Sequence, residues 1–192
     1  MSSDVLVTTP AQRQTEPHAE AVSRNRRQQA TFRKVLAAAM ATLREKSYAD
    51  LTVRLVAARA KVAPATAYTY FSSKNHLIAE VYLDLVRQVP CVTDVNVPMP
   101  IRVTSSLRHL ALVVADEPEI GAACTAALLD GGADPAVRAV RDRIGAEIHR
   151  RITSAIGPGA DPGTVFALEM AFFGALVPVS YTHLTLPTIL LV

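Results

Sequence analysis

The chain has no tryptophan and only two cysteines, Cys91 and Cys124, which lie far apart and form no CxxC pattern. A disulfide scaffold is therefore excluded, and two reduced core or loop thiols in a cytosolic protein are expected. Catalytic signatures are missing as well. There is no GxSxG, no HExxH and no glycine-rich phosphate cradle, and the five histidines are scattered without ligand spacing. The expectation is a chain that is not an enzyme and holds no cofactor and no metal. The first twenty residues have no apolar core behind a basic start, so secretion is not expected. The longest apolar run near the C-terminus, VFALEMAFFGALVPV, is broken by Glu169 and is shorter than a membrane span. A cytoplasmic protein without a membrane partner follows.

What the chain does have is small and aliphatic. Half of its 192 residues are hydrophobic, with Ala, Leu and Val dominant, which favours an all-α fold with a sizeable core. Charge is divided unevenly. Residues 1–90 carry 13 Lys/Arg against 7 Asp/Glu, while residues 91–192 carry 7 against 10. A basic first half beside a mildly acidic second half points to one polyanion-facing region.

Taken in order, residues 1–23 are polar, contain Pro10 and Pro17, and read as a disordered arm. SRNRRQQATFRK then supplies Arg24, Arg26, Arg27, Arg33 and Lys34, either a solvated charge run or an arm that lies along phosphates or enters a minor groove. A first helix is expected from about Gln28 to Lys46, with Phe32, Leu36, Ala39, Met40 and Leu43 on one stripe. Thr52 is placed to cap a short second helix whose inner face is Val53, Val56, Ala57 and Ala60. Lys61-Val62 is the turn, with Val62 as its apolar plug, and Pro64 opens a third helix that ends at Phe71. Ser72 or Ser73 caps a fourth helix striped by Leu77, Ile78, Val81, Tyr82 and Leu85 and stopped by Pro90.

CVTDVNVPMP is read as a linker at about 89–100, separating a first domain at 24–89 from a second at 101–178. Four helices are expected in the second: about Ile101–Ala115, Glu117–Leu129, Pro135–Ile156 and one beginning at Asp161-Pro162. From Val179 the sequence VSYTHLTLPTILLV reads as strand or coil. Residues 179–192 resemble a translated adapter or vector tail, the alternative being a genuine β-like or disordered tail.

The stretch LTVRLVAARAKVAPATAYTYFSSKNHLIAEVY resembles the helix-turn-helix of the TetR family of transcriptional regulators, over residues 28–85. The resemblance rests on Thr52, Val56-Ala57, Ala60-Lys61-Val62-Ala63, Tyr68-Thr69-Tyr70-Phe71 and Lys74. It implies a three-helix DNA-binding head followed by a helical ligand-binding and dimerisation domain. The implied DNA-binding residues are Thr52, Arg54, Ala63, Pro64, Ala65, Thr66, Tyr68, Thr69, Tyr70 and Lys74. Small residues leading the third helix suit a major groove: the Thr66 hydroxyl can bond a base or phosphate, and its methyl, with Ala65, can meet thymine methyls. Phe71 and Val62 are assigned to the core. Lys61 stands where the family usually has glycine.

The resemblance also implies a small apolar effector that releases a repressor from a double-stranded DNA operator, and a homodimer closed by the last two helices. Candidates for lining an effector pocket are Leu107, Leu110, Ala111, Val114, Cys124, Leu128, Ile144, Ile148, Met170 and Phe173. Residues 161–177 resemble the penultimate helix, with the odd tail in place of the final one. The alternative function is therefore a helical interaction module that has lost operator binding with its dimerisation helix.

Overall fold

The computed structural model describes the backbone of residues 16–182 and the side chains of residues 25–174. Eight α-helices carry the described residues: α1 (Glu16–Leu43), α2 (Val53–Arg59), α3 (Pro64–Tyr70), α4 (Lys74–Gln88), α5 (Met99–Ala111), α6 (Pro118–Asp130), α7 (Pro135–Ile156) and α8 (Pro162–Thr182). One 3-10 turn, Gly131–Ala133, joins α6 to α7, and no strand occurs among the described residues.

The ends of the chain differ from expectation. α1 begins at Glu16, so residues 16–23 of the expected disordered arm are helical. Pro17 does not prevent this, because a proline in the first turn lacks only an N–H that has no partner there. α8 runs on through residues 179–182, where strand or coil was expected. Extending a formed helix needs far less propensity than starting one. The remainder of both readings, at 1–15 and 183–192, lies outside the described residues.

Local chemistry sets the head. The Thr52 hydroxyl accepts a hydrogen bond from the Leu55 N–H at 3.1 Å, capping α2. At its other end the Val62 N–H donates to the Ala57 carbonyl and the Lys61 N–H to the Ala58 carbonyl, the paired bonds of a Schellman turn. That turn requires a left-handed residue, and Lys61 supplies it at φ 55°. A side chain there costs roughly 1–2 kcal/mol that glycine would not.

Two hydrophobic clusters hold the helices together. The first joins Val35, Leu36, Ala39 and Leu43 of α1 to Val53, Val56 and Ala57 of α2, Ala67 of α3, Phe71, and Leu77, Ile78 and Val81 of α4. Ile120, Ala123, Cys124 and Ala127 of α6 complete it from beyond the linker. The second takes Ala79, Leu83 and Val86 from α4, Leu110 from α5, Val137 to Ile152 from α7, and Val165 and Phe172 from α8. Helix α4 is therefore shared, with one face in each cluster, as expected of a helix apolar over most of its circumference.

Two buried arginines finish helix ends in the second half. Arg151, 1% exposed, donates to the Val89 and Arg87 carbonyls at 2.9–3.2 Å, the unpaired oxygens that close α4, and also pairs with Glu147. Arg102 does the same for α7, donating to Ala155 and Ile156 at 2.8 Å, and ties the linker by a bond to Val97 at 2.6 Å.

Candidate nucleic-acid interface

Helix α3 turns one side to the core and the other to solvent. Ala67 and Phe71 are fully buried, and Phe71 stacks on Phe32 of α1 at 5.0 Å between ring centroids. That anchor leaves Ala63, Pro64, Ala65, Thr66, Tyr68 and Thr69 exposed on one continuous surface, with Tyr68 52% accessible. Pro64 holds the first helical position, and Ala63 offers no side-chain cap, so the leading N–H groups of α3 are not occupied by a capping side chain. Such a helix start favours anions. The Thr69 hydroxyl donates back to the Ala65 carbonyl at 3.0 Å, which leaves its lone pairs outward.

Thr52 and Arg54 lie exposed on α2. Thr52 uses a lone pair in capping, so its hydroxyl proton is still available to an outside acceptor. On α1, Arg26, Arg27, Arg33 and Lys34 are all exposed. Among the described residues the head thus presents small groups, hydroxyls and cations on its outer surface, a composition suited to a polyanion with readable edges.

Two of the implied contact residues have other occupations. Lys74 opens α4, where a cation meets the positive end of the helix dipole, and its side chain folds away. Its ammonium donates to the Tyr48 carbonyl at 3.1 Å and sits 4.2 Å from the centre of the Tyr48 ring. Tyr48 in turn donates its hydroxyl to Asn75. Tyr70 is half-buried, its ring edge against Phe32 at 6.2 Å. In the sequence Tyr48 is an isolated tyrosine at the end of the first helix and carries no pattern.

Polar links join this head to the helices beyond the linker. Arg44 forms a two-pronged pair with Glu117 at 2.5 Å, Ser73 donates to Asp134 at 2.9 Å, and Glu80 on α4 meets Arg143 on α7 at 2.5 Å. Asp134 caps α7 through the Ala136 N–H; that bond and the Ser73 hydroxyl hold its carboxyl below the usual range.

The ten residues expected to line an effector pocket do not share one environment. Cys124 lies in the first cluster, and burial pushes its thiol up to about 12. Leu110, Ile144 and Ile148 are packed in the second, with Leu107 and Leu128 against it and Val114 against the first. Ala111, Met170 and Phe173 are exposed. Helical spacing marks a buried stripe but does not say whether helices or a ligand fill it. An open hollow of about 360 Å³ lies on the outer side of α5 against Pro100, Ile101, Thr104, Ser105 and Arg108.

Residues 35–81 match the family model described as bacterial regulatory proteins, tetR family. The fold is similar to the crystal structure of a TetR transcriptional regulator from Rhodococcus sp. RHA1, with a TM-score of 0.66 and 21% identity over 83% of this chain and 88% of that one. A putative transcriptional regulator from Pseudomonas aeruginosa PAO1 aligns with a TM-score of 0.47 and 18% identity, over 81% of each chain.

Proposed function

The chain belongs, through residues 35–81, to the tetR family of bacterial regulatory proteins, and from that premise we propose that it is an operator-binding repressor, acting as a homodimer and released by a small apolar effector. The observation that carries the DNA reading is the division of α3: Ala67 and the closing Phe71 are fully buried, while Ala63 to Thr66, Tyr68 and Thr69 stand outside. A helix so held presents its leading half to a major groove, with Thr66 and Ala65 toward base edges and Thr52 and Arg54 toward phosphates, while Thr69 meets a phosphate by turning its proton away from the Ala65 carbonyl.

The homodimer reading is supported by α8. Phe166, Met170 and Phe173 lie at helical spacing on one exposed face, 60%, 48% and 37% accessible. Apolar side chains so arranged favour a partner, and a second copy places two reading heads on one duplex. The effector reading is supported by two buried hydroxyls without a hydrogen-bond partner, Ser106 on α5 and Thr153 on α7. Unsatisfied polar atoms among apolar side chains are the anchoring groups a small molecule would use. An effector lodged there would shift α4, which shares both cores, and with it the head.

The test is fluorescence anisotropy of the full chain on the duplex upstream of its own gene, across a salt series. Affinity falling steeply and log-linearly with salt is expected, as is a loss of about 1–3 kcal/mol for Thr66→Ala confined to the preferred sequence. No salt-sensitive binding to any promoter duplex at low salt overturns the reading. Sedimentation of the same samples tests the dimer: a chain that stays monomeric on its operator overturns that part.

A further inference from the structure

Lys61 occupies a backbone conformation that glycine adopts freely and a lysine does not, and it does so at the elbow between α2 and α3, two residues before Ala63. The Schellman turn holds it there, so what needs a reason is the cation, which glycine would not supply. Lys61 rims an open hollow of about 410 Å³ whose floor is Ala37, Ala38 and Ala60 and whose other walls are Lys34 of α1 and Arg59 of α2. The floor carries no side chain longer than a methyl group, so nothing bulky stands between the lysines and an oxyanion. Arg59 is held in the wall by a two-pronged pair with Glu45, at 2.5 and 2.6 Å. Lys34 and Lys61 take part in no ion pair among the described residues, and both are exposed.

We propose that this hollow is a phosphate-binding site for the DNA backbone, separate from the α3 surface, in which Lys34 and Lys61 clamp one strand beside the major groove that α3 enters. The inference rests on the operator-binding reading above and adds to it a contact of stated chemistry: a phosphodiester, bound by two point charges without base recognition. Because Lys61 lies two residues before Ala63, a bound phosphate fixes the depth and angle at which Ala63 to Thr66 meet base edges.

Lys61 separates charge from fold because its two effects have opposite signs. Lys61→Gly relieves the left-handed strain and removes the cation; Lys61→Arg keeps both. Anisotropy titrations of the full chain, from 0.05 to roughly 1 M salt, on its operator and on an unrelated duplex read the outcome. Lys61→Gly is expected to melt higher than the wild type yet bind more weakly. The slope of log affinity against log salt should fall by about 0.9, equivalent to about fivefold at 0.15 M, by the same factor on both duplexes. Lys34→Ala is expected to lower the slope by a similar amount, and Lys61→Arg to keep it.

An unchanged slope in Lys61→Gly overturns the inference, as does a loss in Lys61→Arg equal to that in Lys61→Gly, or a loss confined to the operator. A wild type that shows no salt-sensitive binding overturns the operator reading itself, and is recognised before any variant is compared.

Discussion

The head and the second half solve the same problem, how to end a helix, in different ways. In the head the solutions are local: Thr52 caps α2, Lys61 and Val62 close it, and Ser73 caps α4 by accepting the His76 N–H at 3.0 Å. Each partner lies within a few residues in sequence. The carbonyls that end α4, at the linker, and α7, in the second half, are instead satisfied by Arg151 and Arg102, which come from other helices entirely. Both ends of α2 and the start of α4 therefore close as those helices form. The second half depends on long-range bonds that exist only once α5 and α7 have docked. Under the proposed function, the difference places the movable junction in the part assigned to the effector.

The sharpest way to break that contrast is Arg151→Ala. The substitution leaves the carbonyls of Arg87 and Val89 without their donor and strips a buried partner from Glu147, and removing one member of such a set costs roughly 3–5 kcal/mol. Urea denaturation read by far-ultraviolet dichroism should show a midpoint shifted by that amount. Four of the five tyrosines, Tyr48, Tyr68, Tyr70 and Tyr82, lie before the linker, so tyrosine fluorescence reports mainly on the head. If the contrast holds, dichroism changes first and fluorescence follows. Coincident transitions with an unshifted midpoint would show that the arginine is not what holds the α4–α7 junction.

The same contrast explains what could be read from the chain alone. All eight helices were visible, α7 to the residue, because Asp134-Pro135 and Gly157 punctuate a strong apolar period. The burial of Phe71, the Thr52 cap and the turn at Lys61 followed from short-range chemistry that one window of sequence contains. The buried arginines did not: a lone Arg102 or Arg151 looks like any solvated charge until a second helix places carbonyls against it. The contact of Lys74 with Tyr48 was hidden for a related reason, since Tyr48 lies outside the pattern that makes Lys74 conspicuous. The pocket residues were selected by apolar spacing, which Ile144 in a packed core and Met170 on an outer face share equally. The sharing of α4 between two clusters, and the contribution of α6 to the head, are three-dimensional facts that no periodicity announces.

A second, smaller effect tests the polar contact between the two regions. Glu80 is 5% exposed on α4 and faces Arg143 of α7 as well as the His76 ring at 3.7 Å. Burial pushes its carboxyl up, but the His76 and Arg143 partners outweigh that and leave it below its ordinary value of 4.5. A carboxyl depressed in this way contributes stability that is complete above its unfolded value and is lost as the pH falls through the lower folded value. Glu80→Gln should therefore destabilise the chain at pH 7 by about 2 kcal/mol, with the difference from wild type shrinking as the pH falls below 4.5. Denaturation midpoints from pH 7 to pH 3 measure this. A difference that stays constant across the range would show that packing, not charge, is what Glu80 supplies.

The smallest effect falls within the head and decides between two uses of one side chain. Lys74→Met keeps most of the aliphatic stem over the Tyr48 ring and removes the ammonium, with its bond to the Tyr48 carbonyl. That bond and the cation–π contact together are worth about 1 kcal/mol at a half-exposed site. If Lys74 acts on the loop before α2, the variant should melt a few degrees lower while its salt slope on DNA is unchanged. If Lys74 instead swings out to a phosphate, the slope falls by about 0.9 and the melting temperature hardly moves. The Tyr48→Phe variant supplies the control, because it removes the hydroxyl bond to Asn75 but leaves both the ring and the carbonyl that hold the ammonium. The first outcome is expected, since a lysine already bonded at 3.1 Å must give up that contact before it can reach DNA.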